Sequence, residues 1–198
     1  MPTLKSKRNT EKAAKLADLQ GFADEFQNES DRATAILAGA LLDEQLRQLL
    51  SNYLIEDGTE VSLLLGQEQP LGSFGARLRA AYCLGLLEKD EYAILLKLKK
   101  IRNDFAHGLH GLTFKDKSVS CTCDELRKLL HLPKGFEDLA PTSRAAFISA
   151  TFSVNLGLWA QIMSYEINGK RCKVPQPELL FKWSAHNGSS QDPKTSEI

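Results

Sequence analysis

Apolar residues recur at helical spacing through most of this chain, and that periodicity limits the folds open to it. Leu42, Leu46, Leu49, Leu50, Tyr53 and Leu54 follow one another at steps of four, three, one, three and one. On a helix of about 3.6 residues per turn they share one stripe. Ser30 and Asp31 precede the stripe as a helix cap, and Gly58 breaks the chain after it. Val61 to Leu65 is a short apolar stretch of one or two turns.

The same pattern returns four more times. After Pro70-Leu71-Gly72, Ser73 caps a helix through Arg77, Leu78, Ala81 and Tyr82, and Gly85 stops it because glycine takes the left-handed conformation without steric cost. A helix from about Lys89 carries Tyr92, Leu95, Leu98, Ile101 and Phe105 along one side and ends at Gly108. Residues 111–120 read as a loop or short hairpin. Thr122-Cys123-Asp124-Glu125 reads as a capping box for a helix with Leu126, Leu129 and Leu130, ended by Pro133. A last long helix starts near Pro141-Thr142-Ser143, includes Phe147, Ile148, Phe152, Leu156, Trp159, Ile162 and Met163, and stops at Asn168-Gly169. The expected fold is all-α: a single-domain antiparallel bundle of five or six helices.

Composition narrows the function classes. The 198 residues hold 25 Lys+Arg against 25 Asp+Glu, with 42% apolar residues. Zero net charge argues against a surface built throughout for nucleic acid. No run of about 18 uninterrupted apolar residues is present, so no membrane span is expected. The polar start, MPTLKSKRNTEKAAK, lacks the apolar stretch of a secretory signal. A cytoplasmic protein with reduced Cys83, Cys121, Cys123 and Cys172 follows. Residues 1–20 form a basic arm, residues 21–168 the helical domain, and residues 169–198 a polar, largely disordered tail.

The sharpest chemical feature is Ile101-Arg102-Asn103-Asp104-Phe105-Ala106-His107-Gly108. Arginine offers a permanent charge and forked donors suited to phosphate, and histidine exchanges a proton near neutral pH. With Asn103 orienting either group, the trio suits RNA cleavage by the 2′-hydroxyl, which needs a base and a charge stabiliser. The structural alternative has Arg102 and His107 complementing the dipole at a helix C-terminus, with Glu44 as a salt-bridge partner for Arg102. Cys121, Cys123, His107 and His110 are the only metal-site candidates, and two small residues entering a helix is the better reading. The join at Gly85 also resembles a helix-turn-helix, with residues 89–106 and Lys97, Lys99, Lys100 and Arg102 as its reading helix; the apolar remainder of that helix speaks against it. No phosphate loop, zinc-finger spacing or serine elbow occurs.

Within residues 66–108, Pro70-Leu71-Gly72, Arg77-Leu78 with Tyr82, Leu84-Gly85-Leu86 and Glu91-Tyr92 give the chain a resemblance to the MltR family of mannitol operon repressors. The resemblance implies an α-helical regulator of a sugar-utilisation operon without a DNA-reading module, which represses through a protein partner. At Arg102, Asn103 and His107 the chain is also similar to the R-x4-6-H motif of HEPN-domain proteins. Many of those are metal-independent ribonucleases with the motif at a dimer interface, and some are inactive interaction modules.

The preferred reading is therefore a non-enzymatic regulator with no catalytic residue, no cofactor and no metal. Its alternative is an HEPN-like endoribonuclease using Arg102, Asn103 and His107 on RNA. A homodimer is expected under both, because Ile36, Leu37, Leu41 and Leu42 put apolar side chains on more than one helix face. Direct contact of residues 1–20 with DNA is left open.

Overall fold

Ser30 starts the first long helix as the sequence predicts: its hydroxyl accepts from the Ala33 amide at 3.2 Å. The computed structural model describes Phe26 and residues 28–108, 111–130 and 140–168. Within those residues lie six helices and no strand. They are α1 (Asp31–Tyr53), α2 (Gly58–Leu65), α3 (Phe74–Cys83), α4 (Lys89–His107), α5 (Lys117–Leu129) and α6 (Ser143–Asn168). The basic arm of residues 1–20, Pro133 and the tail of residues 169–198 lie outside the described residues.

The stripe read from sequence is the core side of α1: Leu42, Leu46, Leu49 and Leu50 are fully buried, with Tyr53 and Leu54 packed at its edge. Gly58 is the first residue of α2, whose cap is Asp57, accepting from the Thr59 and Glu60 amides. Ser73 caps α3 by accepting from Ala76 at 3.2 Å. After α3 the chain turns through Gly85 at φ 72°. The Gly85 amide donates to Tyr82 and the Leu86 amide to Ala81, which satisfies the last carbonyls and returns Leu86 to the core.

Helix α4 is the hub. It packs against α1, α3, α5 and α6, with Ile94, Leu95, Leu98, Ile101 and Phe105 buried. Its contacts fix direction: Gly75 and Tyr82 of α3 face Lys99 and Tyr92, Glu125 and Thr122 of α5 meet Lys97 and Lys100, and Gly39 and Arg32 of α1 meet Arg102 and Gly108. All three neighbours run antiparallel to α4. In contrast, α1 and α6 run parallel, since Arg144 meets Asp31 and Thr34 at their starts while Tyr53 meets Tyr165 at their ends. Phe105, Phe114 and Phe147 tie α4, the loop after it and α6 together, with ring centroids 5.0 and 5.1 Å apart.

Two sequence expectations are corrected. Helix α5 begins at Lys117, not at a capping box on Thr122; Val119, Thr122, Cys123 and Leu126 form its buried stripe, and the Thr122 hydroxyl donates to the Ser118 carbonyl inside the helix. Leu156 faces outward at 56% exposure, while Ala146, Phe147, Ala150, Val154, Leu158 and Ile162 carry the core face of α6. Helix α4 packs against four other helices and keeps Leu96, Lys100 and His107 exposed. By length and hydropathy α6 meets the composition of a membrane span, and its inner face is packed into the bundle.

Candidate functional site

The site is built where the last two turns of α4 meet the first three of α1. Arg102 leaves α4 towards α1 and lays its stem over Gly39. A Cβ at Gly39 would come within 2.6 Å of the Arg102 Cγ. The guanidinium Nη1 then donates to Asn103 Oδ1 at 3.0 Å. The Arg102 Nε is enclosed and has no hydrogen-bond partner among the described residues. No carboxylate pairs with Arg102 among the described residues, and Glu44 is engaged by Arg47 and Gln48 instead. Glu44 lies on α1 five residues beyond Gly39, more than one turn away, which removes it as the Arg102 counter-ion.

Arg102 differs from Arg77, Arg127 and Arg144 in lacking a carboxylate partner among the described residues, whereas its enclosed Nε is a feature shared with Arg77. Arg77, 5% exposed, pairs with Asp43 at 2.6 Å and donates to the Leu65 carbonyl at 2.7 Å. Arg144 pairs with Asp31 and donates to the Phe26 and Glu29 carbonyls. Arg127 pairs with Asp124 and donates to the Ala140 carbonyl. These three are structural clamps.

His107 is exposed at the last position of α4. On an ideal helix it lies about 140° from Arg102 but only about 40° from Asn103, one turn earlier. The bond from Arg102 to Asn103 thus brings the guanidinium towards the face that Asn103 and His107 share. Sequence reasoning placed all three residues at the end of one helix, as found. It missed Gly39, whose signal was a glycine inside a strong helix, and Arg32, whose Nη2 donates to the Gly108 carbonyl at 2.8 Å and caps α4. Arg32 and Gly39 are seven residues apart, two turns on the same face of α1.

The candidate metal ligands do not converge. Cys123 is buried and Cys121 exposed in the middle of α5. Burial pushes the Cys123 thiol up to about 12, which suits neither a nucleophile nor a ligand. His110 lies outside the described residues. Among the described residues no group of three or more His, Cys, Asp or Glu could hold a metal.

Residues 25–151 match a family described as "Mannitol repressor" (MtlR, equivalently MltR). The chain belongs to the mannitol repressor family. This agrees with the resemblance carried by Pro70-Leu71-Gly72, Arg77 and Gly85, all of which fall at turns or clamps of the bundle. Among solved structures the chain is similar to the MtlR–HPr complex from Escherichia coli, at 22% identity and a TM-score of 0.53, over 72% of this chain and 98% of that one. That likeness shows the mannitol-repressor fold. No curated protein matches the chain.

Proposed function

We propose that this protein is a cytoplasmic, non-enzymatic transcriptional regulator of a sugar-utilisation operon such as mannitol, acting through protein contacts. The match over residues 25–151 carries the reading. A relative of the same fold was solved in complex with HPr, which makes a small HPr-like protein the first partner to test. The central position of α4 and the ion pairs of Lys97 and Lys100 favour protein contact over groove reading. Deleting the gene should raise expression of the neighbouring sugar operon, and unchanged transcript levels would refute the regulator. Co-purification with HPr from the same cell tests the partner.

A homodimer accompanies this reading, formed by α6 against α6 of a second copy. Residues 145–165 contain no charged side chain, and Ser153, Leu156, Ala160 and Ser164 are exposed on that helix. A neutral face is self-complementary about a two-fold axis, with no like charges to oppose.

The second reading, an HEPN-like ribonuclease, is favoured by one observation: Arg102 has no counter-ion among the described residues, and its neighbour Asn103 shares a face with His107. His107 would take the 2′-hydroxyl proton as the 2′-oxygen bonds to phosphorus, and Arg102 would stabilise the negative charge on the non-bridging oxygens. The 5′-oxygen would leave with a proton from water, giving a 2′,3′-cyclic phosphate and a 5′-hydroxyl. Loss of metal-independent RNA cleavage in His107→Ala would establish it, and no cleavage by the folded wild type would remove it.

A further inference from the structure

A half-buried cation without a counter-ion is costly to hold, because desolvation weakens its hydration and nothing replaces it. Among the described residues Arg102 is in that position. Its stem is sandwiched between α4 and α1, its Nε is enclosed and unpartnered, and its one bond goes to a neutral amide. A glycine inside a helix costs roughly 0.5–1 kcal/mol relative to alanine. Gly39 stands in the middle of the 23-residue α1, and its missing Cβ is what admits the arginine stem. Two unfavourable choices, one on each helix, therefore serve the placement of one guanidinium.

We propose that Arg102, seated on Gly39, is the anchor of a binding site for the phosphate group of a small ligand. The groups around it are donors. Asn103 Oδ1 is occupied by Arg102, which orients the amide and leaves its Nδ2 to donate outward. The exposed His107 ring lies one turn away on the same face. The nearest carboxylate in sequence, Asp104, is bound by Lys100 at 2.8 Å. A tetrahedral oxyanion takes several donors at once, which a set of Arg, Asn and His supplies. Gly39 is the positioning residue: a Cβ there would meet the Arg102 Cγ, Cδ and Nε, so its absence fixes where the charge sits. The site stands whether or not a bound phosphodiester is then cleaved, so it is separable from both readings above.

The test uses the full chain, with inorganic phosphate and 5′-AMP as probes and chloride at equal ionic strength as the control, read by titration calorimetry and by melting temperature. Wild type is expected to melt a few degrees higher in phosphate than in chloride. Arg102→Met removes the unpaired charge, keeps the apolar stem, and should weaken phosphate binding at least about tenfold. Without ligand it should melt at or above the wild-type temperature, which a structural arginine would not allow. Gly39→Ala keeps every charge and should lose the phosphate response by displacing Arg102. Tighter binding of 5′-AMP than of phosphate identifies a nucleotide as the source, and equal binding identifies free phosphate. A wild type with no phosphate response, an Arg102→Met variant that binds as well as wild type, or one that melts lower without ligand overturns the site. Unchanged binding in Gly39→Ala overturns the positioning role. Phosphate binding without RNA cleavage would remove only the ribonuclease reading.

Discussion

Arg77 and Arg102 are the same residue type on adjacent helices, and their surroundings give them opposite work. Arg77 joins three elements at once through Asp43 of α1 and the Leu65 carbonyl at the end of α2. Removing its carboxylate strands a buried charge, so Asp43→Ala should cost about 3 kcal/mol, read by urea unfolding. The cysteines separate in the same way. Burial raises the Cys123 thiol to about 12, while Cys83 and Cys121 are exposed. At pH 8 the native protein should be alkylated at the exposed pair and spared at Cys123, as peptide mass spectrometry would register. Because the folded value lies above the unfolded one, the Cys123 contribution to stability is whole below about pH 9 and is lost as pH rises towards 12.

At the scale of elements, caps and turns were legible from sequence where one residue type is required. Ser30, Ser73 and Gly85 act as read, since a hydroxyl cap and a left-handed stop depend on local chemistry alone. Gly85→Ala meets no neighbouring atom but strains a backbone at φ 72°, and it should cost about 1–2 kcal/mol by thermal unfolding. The start of α5 was not legible. Val119 stands alone among polar and small residues, and Thr122-Cys123-Asp124-Glu125 fits a cap by type; only packing against α4 and α6 shows that Val119, Thr122 and Cys123 face inward.

For the whole molecule, the arrangement around α4 sets both stability and assembly. Leu46 is fully buried on α1, and Leu46→Ala should cost about 3 kcal/mol in denaturant unfolding. The apolar faces of α1 that first argued for a dimer are half-buried or buried in the bundle. Among the described residues the exposed large apolar side chains are Leu63, Tyr82, Leu84, Leu96 and Leu156. Only the last sits on a helix face free of charge, so the dimer prediction moves to α6. Sedimentation should give twice the 22.0 kDa chain mass, falling to one chain in Leu156→Glu; a monomeric wild type at micromolar concentration would refute it.

The sequence by itself determined the helical class, most helix ends, the family and the residues at the end of α4. Each depends on periodicity, capping chemistry or motif, which are properties of short stretches. Tertiary structure alone decided that α1 and α6 run parallel and that Leu156 faces outward. It also decided that Glu44 belongs to Arg47 and that Gly39 makes room for Arg102. Those outcomes depend on which helix lies against which, and residues 39 and 102 meet only after the bundle has closed.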